Sequence, residues 1–209
     1  MSIPRDFRGK VVVITGAGGG LGRALAHTFA QAGAHVAALD RDARALEALA
    51  HELDILAVQH GTQRMIAVCD VTRLEDCQAA VTQVCGRLGG VDLLINNAGV
   101  AHRSAFAVTQ VDVLRRVMDV NFFGAVHCTH AALPSLRQRR GMVVAISSVA
   151  GFSPLIGRTG YAASKHALHG FFDSLRTEVQ DDGVDVLIVC PSFIDTGIDR
   201  AALGADGQP

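Results

Sequence analysis

The sequence predicts a single α/β domain, residues 1–209, built on a doubly wound parallel sheet of about six strands with helices on both faces. Two observations support this prediction. β-branched apolar runs alternate with helical segments along the whole chain, which is typical of doubly wound folds. The runs are also continuously apolar, which indicates strands buried on both faces, as in a parallel sheet between helices.

The predicted strands are short apolar runs in which β-branched residues recur. They span Lys10–Thr15, His35–Asp40, Arg64–Cys69, Val91–Ile95, Met142–Ser147 and Val184–Cys190. The segments between them have the apolar spacing of helices. These span about Leu21–Gln31, Asp42–Leu53, Leu74–Arg87, Thr109–Arg139 and Tyr161–Gln180, and Asp42 is a predicted N-cap. Ligands of such folds bind beyond the carboxyl ends of the strands, so the functional motifs are expected there.

Composition argues against several kinds of partner. A formal net charge of −1 offers nothing that would recruit nucleic acid or an anionic membrane. Neither the polar first ten residues nor any later run predicts an export signal or a membrane span. Five cysteines, an odd number without a C-x-x-C pair, indicate reduced thiols and a cytoplasmic protein. No metal site is predicted, because the paired histidines lack acidic or cysteine partners at ligand spacing: His127 and His130, and His166 and His169.

A glycine cluster links the first predicted strand to the first helix. The letters TGAGGGLG occupy positions 15–22, with the spacing Gly16-x-x-x-Gly20-x-Gly22. Glycines have no Cβ atom, so backbone N–H groups can approach a pyrophosphate at a helix N-terminus. A glycine cluster alone also fits an ordinary flexible turn.

Asp40 strengthens the nucleotide hypothesis, because it closes the second strand about twenty residues after the glycine turn, where dinucleotide sites carry an acid. A carboxylate there can accept hydrogen bonds from both hydroxyls of an adenosine ribose. It would also repel a 2′-phosphate, so NAD is the predicted cofactor. Arg41 follows it, and an arginine there could pair with the extra phosphate, which keeps NADP open.

Tyr161 is the only tyrosine in the chain, and Lys165, one of two lysines, stands four residues after it. On a helix that offset places both side chains on one face, about one turn apart. A compact ammonium beside a phenol favours the phenolate and brings the phenol pKa closer to neutral. The pair is therefore a predicted proton donor and acceptor. As an isolated motif it also fits a tyrosine and a lysine that merely stack on a helix surface.

Further motifs occur in a fixed order along the chain. They are CDV at 69–71, NNAG at 96–99, Asn121, Ser148, YAASK at 161–165 and the segment from Pro191 to Thr196. With these motifs and the glycine turn, nearly the whole chain resembles the short-chain dehydrogenase/reductase family. The resemblance implies a Rossmann-type fold and an NAD(P)-dependent oxidoreductase that moves hydride between nicotinamide and a secondary alcohol or ketone.

The resemblance also implies roles for single residues. Tyr161 would be the general acid/base, and Lys165 would bind the nicotinamide ribose while lowering the pKa of the tyrosine. Ser148, thirteen residues before the tyrosine, would donate a hydrogen bond to the reacting oxygen. Asn121 would hold a water that connects the lysine to solvent. The implied cofactor-binding set comprises Thr15, Gly16, Gly18, Gly20, Leu21, Gly22, Asp40, Arg41, Asp70, Val71, Asn97, Ala98, Gly99, Tyr161, Lys165, Pro191, Ile194 and Thr196.

Two features depart from the family's pattern. Ser192 stands where the family usually has glycine after Pro191. The helical lid over the substrate and the seventh strand, with which the family usually continues, are expected to be missing after about residue 197, and 204–209 is predicted to fray. His102, just after NNAG, is predicted to lie in a solvated loop, with a place at the edge of the substrate site as the alternative.

Three hypotheses about function stay open. The first is the oxidoreductase, acting on a small alcohol or carbonyl compound. The second is a nucleotide-binding or sensor protein without catalysis, favoured by the early end of the chain and disfavoured by the complete catalytic set. The third is a fragment that folds poorly. The resemblance also predicts a homodimer or homotetramer, while substrate identity and reaction direction are not predicted.

Overall fold

The structure, a computed structural model, describes residues 6–192, 194, 196–197 and 200–209. Its strands are β1 (Val11–Thr15), β2 (His35–Asp40), β3 (Arg64–Val68), β4 (Leu93–Asn96), β5 (Met142–Ile146) and β6 (Asp185–Val189). They form one sheet in the order β3-β2-β1-β4-β5-β6, and every neighbouring pair is parallel. The predicted doubly wound parallel sheet is confirmed. Its order reverses between β1 and β4, whose carboxyl ends therefore border a crevice.

The helices in the described part of the chain are α1 (Gly20–Gln31), α2 (Ala43–His60), α3 (Leu74–Leu88), α4 (Val111–Met118), α5 (Gly124–Arg139) and α6 (Thr159–Val179). Asp42 caps α2 as predicted, with its side chain accepting from two backbone N–H groups. α2 continues about two turns beyond the predicted end at Leu53, because Leu56 still packs against the core. It ends at Gly61, whose φ of +63° suits glycine.

The helix predicted over 109–139 is two helices joined by a wider turn. α4 passes into α5 through a π turn at Asp119–Phe123, and Asn121 lies in that turn with 2% of its surface exposed. Single π turns inside helices occur frequently at functional sites. The apolar pattern continues through the turn, so sequence periodicity did not reveal it.

Two apolar layers lie on opposite faces of the sheet. Side chains alternate along β1, so Val12 packs in the layer below α1 and α2, while Val13 packs in the layer below α3, α5 and α6. Both valines are fully buried, as predicted for a strand between helices. Leu187 of the edge strand β6 is 46% exposed. Among the described residues, no helix combines the length and the apolar character needed to cross a bilayer.

The closing segment, residues 200–209, packs against the domain, so the prediction of a frayed end is wrong. The carbonyl of Ala205 accepts from the N–H of Gln110 at 2.9 Å, and Leu203 is 4% exposed and packs against Val113 of α4. It also forms a parallel bridge with His102. The histidine is fully buried, so its predicted place in a solvated loop is wrong as well. An apolar side chain and backbone partners thus hold a segment whose local composition is typical of a loose end.

Candidate functional site

A cleft of about 740 Å³ opens along the carboxyl edge of the sheet, where the strand order reverses. The glycine turn and the loops after β2 and β3 line one part of it. The loops after β4, β5 and β6, the start of α6 and the closing segment line the other. Most of the predicted cofactor-binding residues lie on its wall: Gly16, Gly20, Leu21, Asp40, Arg41, Asp70, Val71, Asn97, Ala98, Gly99, Tyr161, Lys165, Pro191, Ile194 and Thr196.

Glycine is required at two positions of the turn for different reasons. Gly16 has a φ of +63°, and a Cβ there would lie 2.8 Å from the Cα of Ala98. A Cβ on Gly22 would overlap the carbonyl oxygen of Gly16 and lie 2.7 Å from Nδ2 of Asn97. Backbone therefore packs directly on backbone at the start of α1, where free N–H groups can receive an anion.

Thr15 and Asn97 hold the glycine turn from behind. The Thr15 hydroxyl is 1% exposed and accepts hydrogen bonds from the N–H groups of Asn97 and Ala98, each at 3.0 Å. The Asn97 side-chain amide donates to the carbonyls of Thr15 and Gly16 at 2.9 and 3.1 Å. These bonds fasten the loop after β4 to the glycine turn, so Thr15 supports the cleft wall from below its surface.

Two carboxylates stand on the β2 and β3 side of the cleft. Oδ2 of Asp40 accepts from the N–H of Gly18 at 2.9 Å, which ties the end of β2 to the glycine turn. Asp70 accepts from the N–H and the hydroxyl of Thr72 at 3.0 and 2.8 Å. The backbone hydrogen bond from Thr72 is the largest cause of the lowered pKa of Asp70, and the charge of Arg41 adds to it. Asp70 is thus favoured as an anion at the cleft wall, and Asp40 is held in place beside the glycine turn by its bond to Gly18.

Lys165 is buried, and its amine is held by the end of β5. It is 4% exposed, and its Nζ donates to the carbonyl of Ile146, at the end of β5, at 2.8 Å. The same nitrogen lies 5.6 Å from the centre of the Tyr161 ring, so the two side chains share one face of α6 as predicted. Burial lowers the pKa of Lys165 to about 8, and nearby Cys190 opposes that shift. Stacking on an exposed helix surface is therefore wrong for this lysine.

Asn121 joins three parts of the site. Its Oδ1 accepts from the N–H of Val100 at 2.8 Å, and its Nδ2 donates to the Val100 carbonyl at 3.0 Å. The same Nδ2 donates to the hydroxyl of Ser164 at 2.9 Å. Because Ser164 directly precedes Lys165, the Asn121 side chain fixes this part of α6 to the loop after β4.

Ser147 and Ser148 follow β5 and both contribute to the cleft lining, but their hydroxyls have different partners. Ser147 is 3% exposed, and its Oγ lies 2.9 Å from Nε2 of His169. Ser148 lines the cleft, and its Oγ accepts from the N–H of Ala150 at 3.2 Å. Since the oxygen accepts in that contact, the O–H of Ser148 can still donate into the cleft.

Comparison with known proteins agrees with this arrangement. A family model described as short chain dehydrogenase matches residues 10–205. The chain belongs to this family. The match includes the strands, the glycine turn and all the motifs that suggested the resemblance.

Curated short chain dehydrogenases from animals are similar to this chain. Dehydrogenase/reductase SDR family member 7B of Rattus norvegicus is 42% identical over 97% of this chain and 63% of the relative. The protein of the same name from Bos taurus is 45% identical over 96% and 63%. Dehydrogenase/reductase SDR family protein 7-like of Drosophila melanogaster is 42% identical over 96% and 62%. The chain thus spans somewhat less than two thirds of the length of these relatives.

Solved structures of dehydrogenases have the same fold. One from Burkholderia phymatum in complex with NAD has a TM-score of 0.88 and 31% identity, over 94% of this chain and 70% of that chain. An NAD+-bound xylitol dehydrogenase has a TM-score of 0.83 and 29% identity, over 90% and 72%.

Four predicted site residues are not part of the described cleft lining, namely Thr15, Gly18, Gly22 and Asn121. Cleft residues that sequence reasoning missed lie in loops, in α4 and in the closing segment, among them Val100, Arg116, Arg158, Leu203 and Gln208. Arg158 stands three residues before Tyr161, about one helical turn, and that spacing could have identified it. The others carry no local signal, because only the folded chain brings them to the cleft.

Proposed function

We propose that this protein is an NAD(P)-dependent oxidoreductase that moves hydride between nicotinamide and a secondary alcohol or ketone. The observation that carries the proposal is a buried Lys165 beside Tyr161 on the cleft wall. Burying an amino group is unfavourable, so its place here suggests a use. A protein that only bound a nucleotide would need the glycine turn but not the phenol, which disfavours the non-catalytic alternative.

The residues present fit a dinucleotide. The close packing at Gly16 and Gly22 leaves backbone N–H groups at the start of α1 to hold a pyrophosphate. Asp40 would bind the hydroxyls of the adenosine ribose, and Asp70 would hydrogen-bond to the adenine amino group. When bound, the nicotinamide would supply or accept the hydride, while side chains of this protein would handle the proton.

The proton chemistry would centre on Tyr161. Its hydroxyl would give a proton to a carbonyl oxygen during reduction and take one from an alcohol during oxidation. Protonated Lys165 would favour the phenolate form through its charge. Ser148 would donate its O–H to the same substrate oxygen and stabilise negative charge that develops there. The bond from the lysine to the Ile146 carbonyl orients the amine in advance.

Asn121 would act mainly through its position. Its side-chain amide is committed to Val100 and Ser164, which places α6 relative to the loop after β4. Both Nδ2 donors are used, so a water that connects Lys165 to solvent would have to donate to an oxygen of Asn121, either Oδ1 or the backbone carbonyl. The π turn changes the backbone hydrogen bonding at that point, which favours such a role.

Replacing Asp40 by serine is expected to weaken NADH binding about 10- to 100-fold, because a charged hydrogen-bond acceptor is lost. Binding of NADPH should improve relative to NADH, since the repulsion of a 2′-phosphate is also removed. Fluorescence titration with both cofactors measures the ratio. Asp42→Ser is the matched control, because serine can still cap α2. An unchanged NADH/NADPH ratio in Asp40→Ser would contradict the assignment of NAD.

The oxidoreductase proposal is tested by titrating NADH with the protein, followed by NADH consumption with a panel of ketones and NAD+ reduction with a panel of secondary alcohols. We expect saturable binding and turnover with some members of the panel. The sequence has no tryptophan, which removes one source of interfering fluorescence. Tight binding without any turnover would support the nucleotide-binding alternative. A chain that neither binds cofactor nor melts cooperatively would support the poorly folding fragment.

Assembly is proposed from the family resemblance, and location from the unpaired cysteines of the sequence. We infer a homodimer or homotetramer in the cytoplasm, acting on a small-molecule substrate. Because the chain spans 63% of its rat and bovine relatives, the activity proposed here is that of the site formed by this chain.

A further inference from the structure

His169 of α6 connects the ends of two neighbouring strands behind the cleft. Its Nε2 lies 2.9 Å from Oγ of Ser147, just after β5, and 3.6 Å from Sγ of Cys190, just after β6. The imidazole is half-buried, and Ser147 is almost fully buried. Among the described residues, the Ser147 hydroxyl has no other hydrogen-bond partner. The histidine is thus the group that satisfies this buried hydroxyl.

Gly151 shows how closely this contact is packed. A Cβ on Gly151 would lie 2.5 Å from Nε2 of His169 and 2.7 Å from Oγ of Ser147. Gly151 ends the 3₁₀ turn that Ser148 caps. The end of β5, this turn and α6 therefore meet at one point, where the imidazole of α6 lies against the other two.

The residues on either side of Ser147 face the proposed reaction. Ile146 supplies the carbonyl that holds the amine of Lys165, and Ser148 lines the cleft. Peptide units are rigid, so a displacement of Ser147 would move both neighbours. A misplacement of about 1 Å in an active site can lower the rate about 100-fold.

We propose that His169 is a positioning residue of the active site, which fixes Ser147 and thereby holds the Ile146 carbonyl and Ser148 against the helix that carries Tyr161. The proposal rests on the proposed function, because it gives His169 a part in the same reaction. His169 does not line the cleft among the described residues, so it acts through its neighbours and not on substrate.

Replacing His169 by alanine is expected to lower kcat about 10- to 100-fold while leaving the Kd for NADH unchanged. His169→Gln should recover most of the loss, because the glutamine amide can reach Ser147 from the same backbone position. His166→Ala is the matched control on the same helix. His166 is exposed, and within the described part of the chain its Nδ1 hydrogen-bonds only to the Ala162 carbonyl of its own helix, so kcat should not change. Thermal melts confirm that each variant is folded before its rate is compared.

The pH profile separates positioning from a loss of folded protein. The kcat/KM for cofactor reports the titrating groups of the free enzyme. The titratable groups that face Lys165 are Tyr161 on its own helix and Cys190 beyond β6. Loosening the end of β5 would admit water to the lysine and relieve the burial that lowers its pKa, so the ammonium would persist to higher pH. The alkaline limb should therefore move to higher pH in His169→Ala, whereas a smaller folded fraction would lower every point equally.

A double-mutant cycle with Ser147→Ala tests the route of the effect. If His169 acts through Ser147, the double variant loses no more activity than the more impaired single variant. Additive losses would overturn this route. A His169→Ala enzyme with wild-type kcat and pH profile, beside an inactive Tyr161→Phe enzyme, would overturn the positioning role alone. Full activity in both variants would instead contradict the proposed function.

Discussion

Replacing Tyr161 by phenylalanine is expected to lower kcat about 10²- to 10⁴-fold in both reaction directions, the contribution typical of a general acid or base. The variant keeps the ring and loses only the hydroxyl, so packing against Lys165 is retained. Binding of NADH should change little, because the glycine turn and Asp40 are untouched. Steady-state kinetics with the best substrate of the panel, together with an NADH titration, measures both quantities.

Thr159→Val is the matched control for this prediction. Thr159 is exposed at the start of the same helix and does not line the cleft, so its variant also loses a hydroxyl while keeping the shape of the side chain. Its kcat should equal that of the unmodified protein. Turnover by Tyr161→Phe at the rate of the Thr159→Val control would remove the phenol from the mechanism.

Adding a single methyl group at Gly22 is expected to disrupt the cofactor end of the cleft. The Cβ of Gly22→Ala would overlap the carbonyl oxygen of Gly16 and press on the Asn97 amide that braces the turn. Backbone atoms cannot rotate away as a flexible side chain can, so the turn itself must move. We expect the free energy of unfolding to fall by about 1–3 kcal/mol, as for other overpacked sites. NADH affinity should fall at least about tenfold, because the N–H groups that would hold the pyrophosphate are displaced.

Gly19→Ala provides the control within the same turn. Gly19 has an extended backbone with a φ of −145°, and a Cβ there would meet nothing within 4 Å. Its thermal stability should match that of the unmodified protein. If Gly22→Ala melted at the same temperature as Gly19→Ala and bound NADH normally, the close packing of the turn would be of no consequence for the site.

Sequence reasoning predicted the architecture because each strand and each strand end carries its own local signal. Continuous apolar runs identified the buried strands. A cluster of glycines identified the turn after β1, because the conformation of a turn depends on a few adjacent residues. Boundaries were less accurate where tertiary contacts set them. The predicted strand began at Val91, but β4 begins at Leu93. Asp92, just before it, accepts a hydrogen bond from the N–H of Val11 at 3.0 Å through its carboxylate.

Features that depend on contacts between distant residues could not be predicted in the same way. The bridge between His102 and Leu203 joins positions about a hundred residues apart, and no local sequence pattern at either position predicts this pairing. The resemblance supplied a family role for Asn121, but only the structure shows that its side chain bonds to Val100 and Ser164.

The histidines of α6 illustrate the same limit. His166 and His169 stand three apart, and by spacing alone they resemble a pair. In the structure they have separate partners, because His169 reaches the end of β5 while His166 bonds to the carbonyl of Ala162. Sequence spacing shows which residues share a helix, whereas the position of the neighbouring strand determines which of them form tertiary contacts.

The burial of Lys165 also has a practical consequence for handling the protein. The sequence contains one other lysine, Lys10, whose side chain is 51% exposed. Lys10 directly precedes β1 and so lies at the amino edge of the sheet, opposite the cleft. Amine coupling that does not use the terminal amine would therefore attach the molecule to a sensor surface through Lys10, at the amino edge of the sheet. Molecules attached through Lys10 would present the cleft away from the surface, in one common orientation.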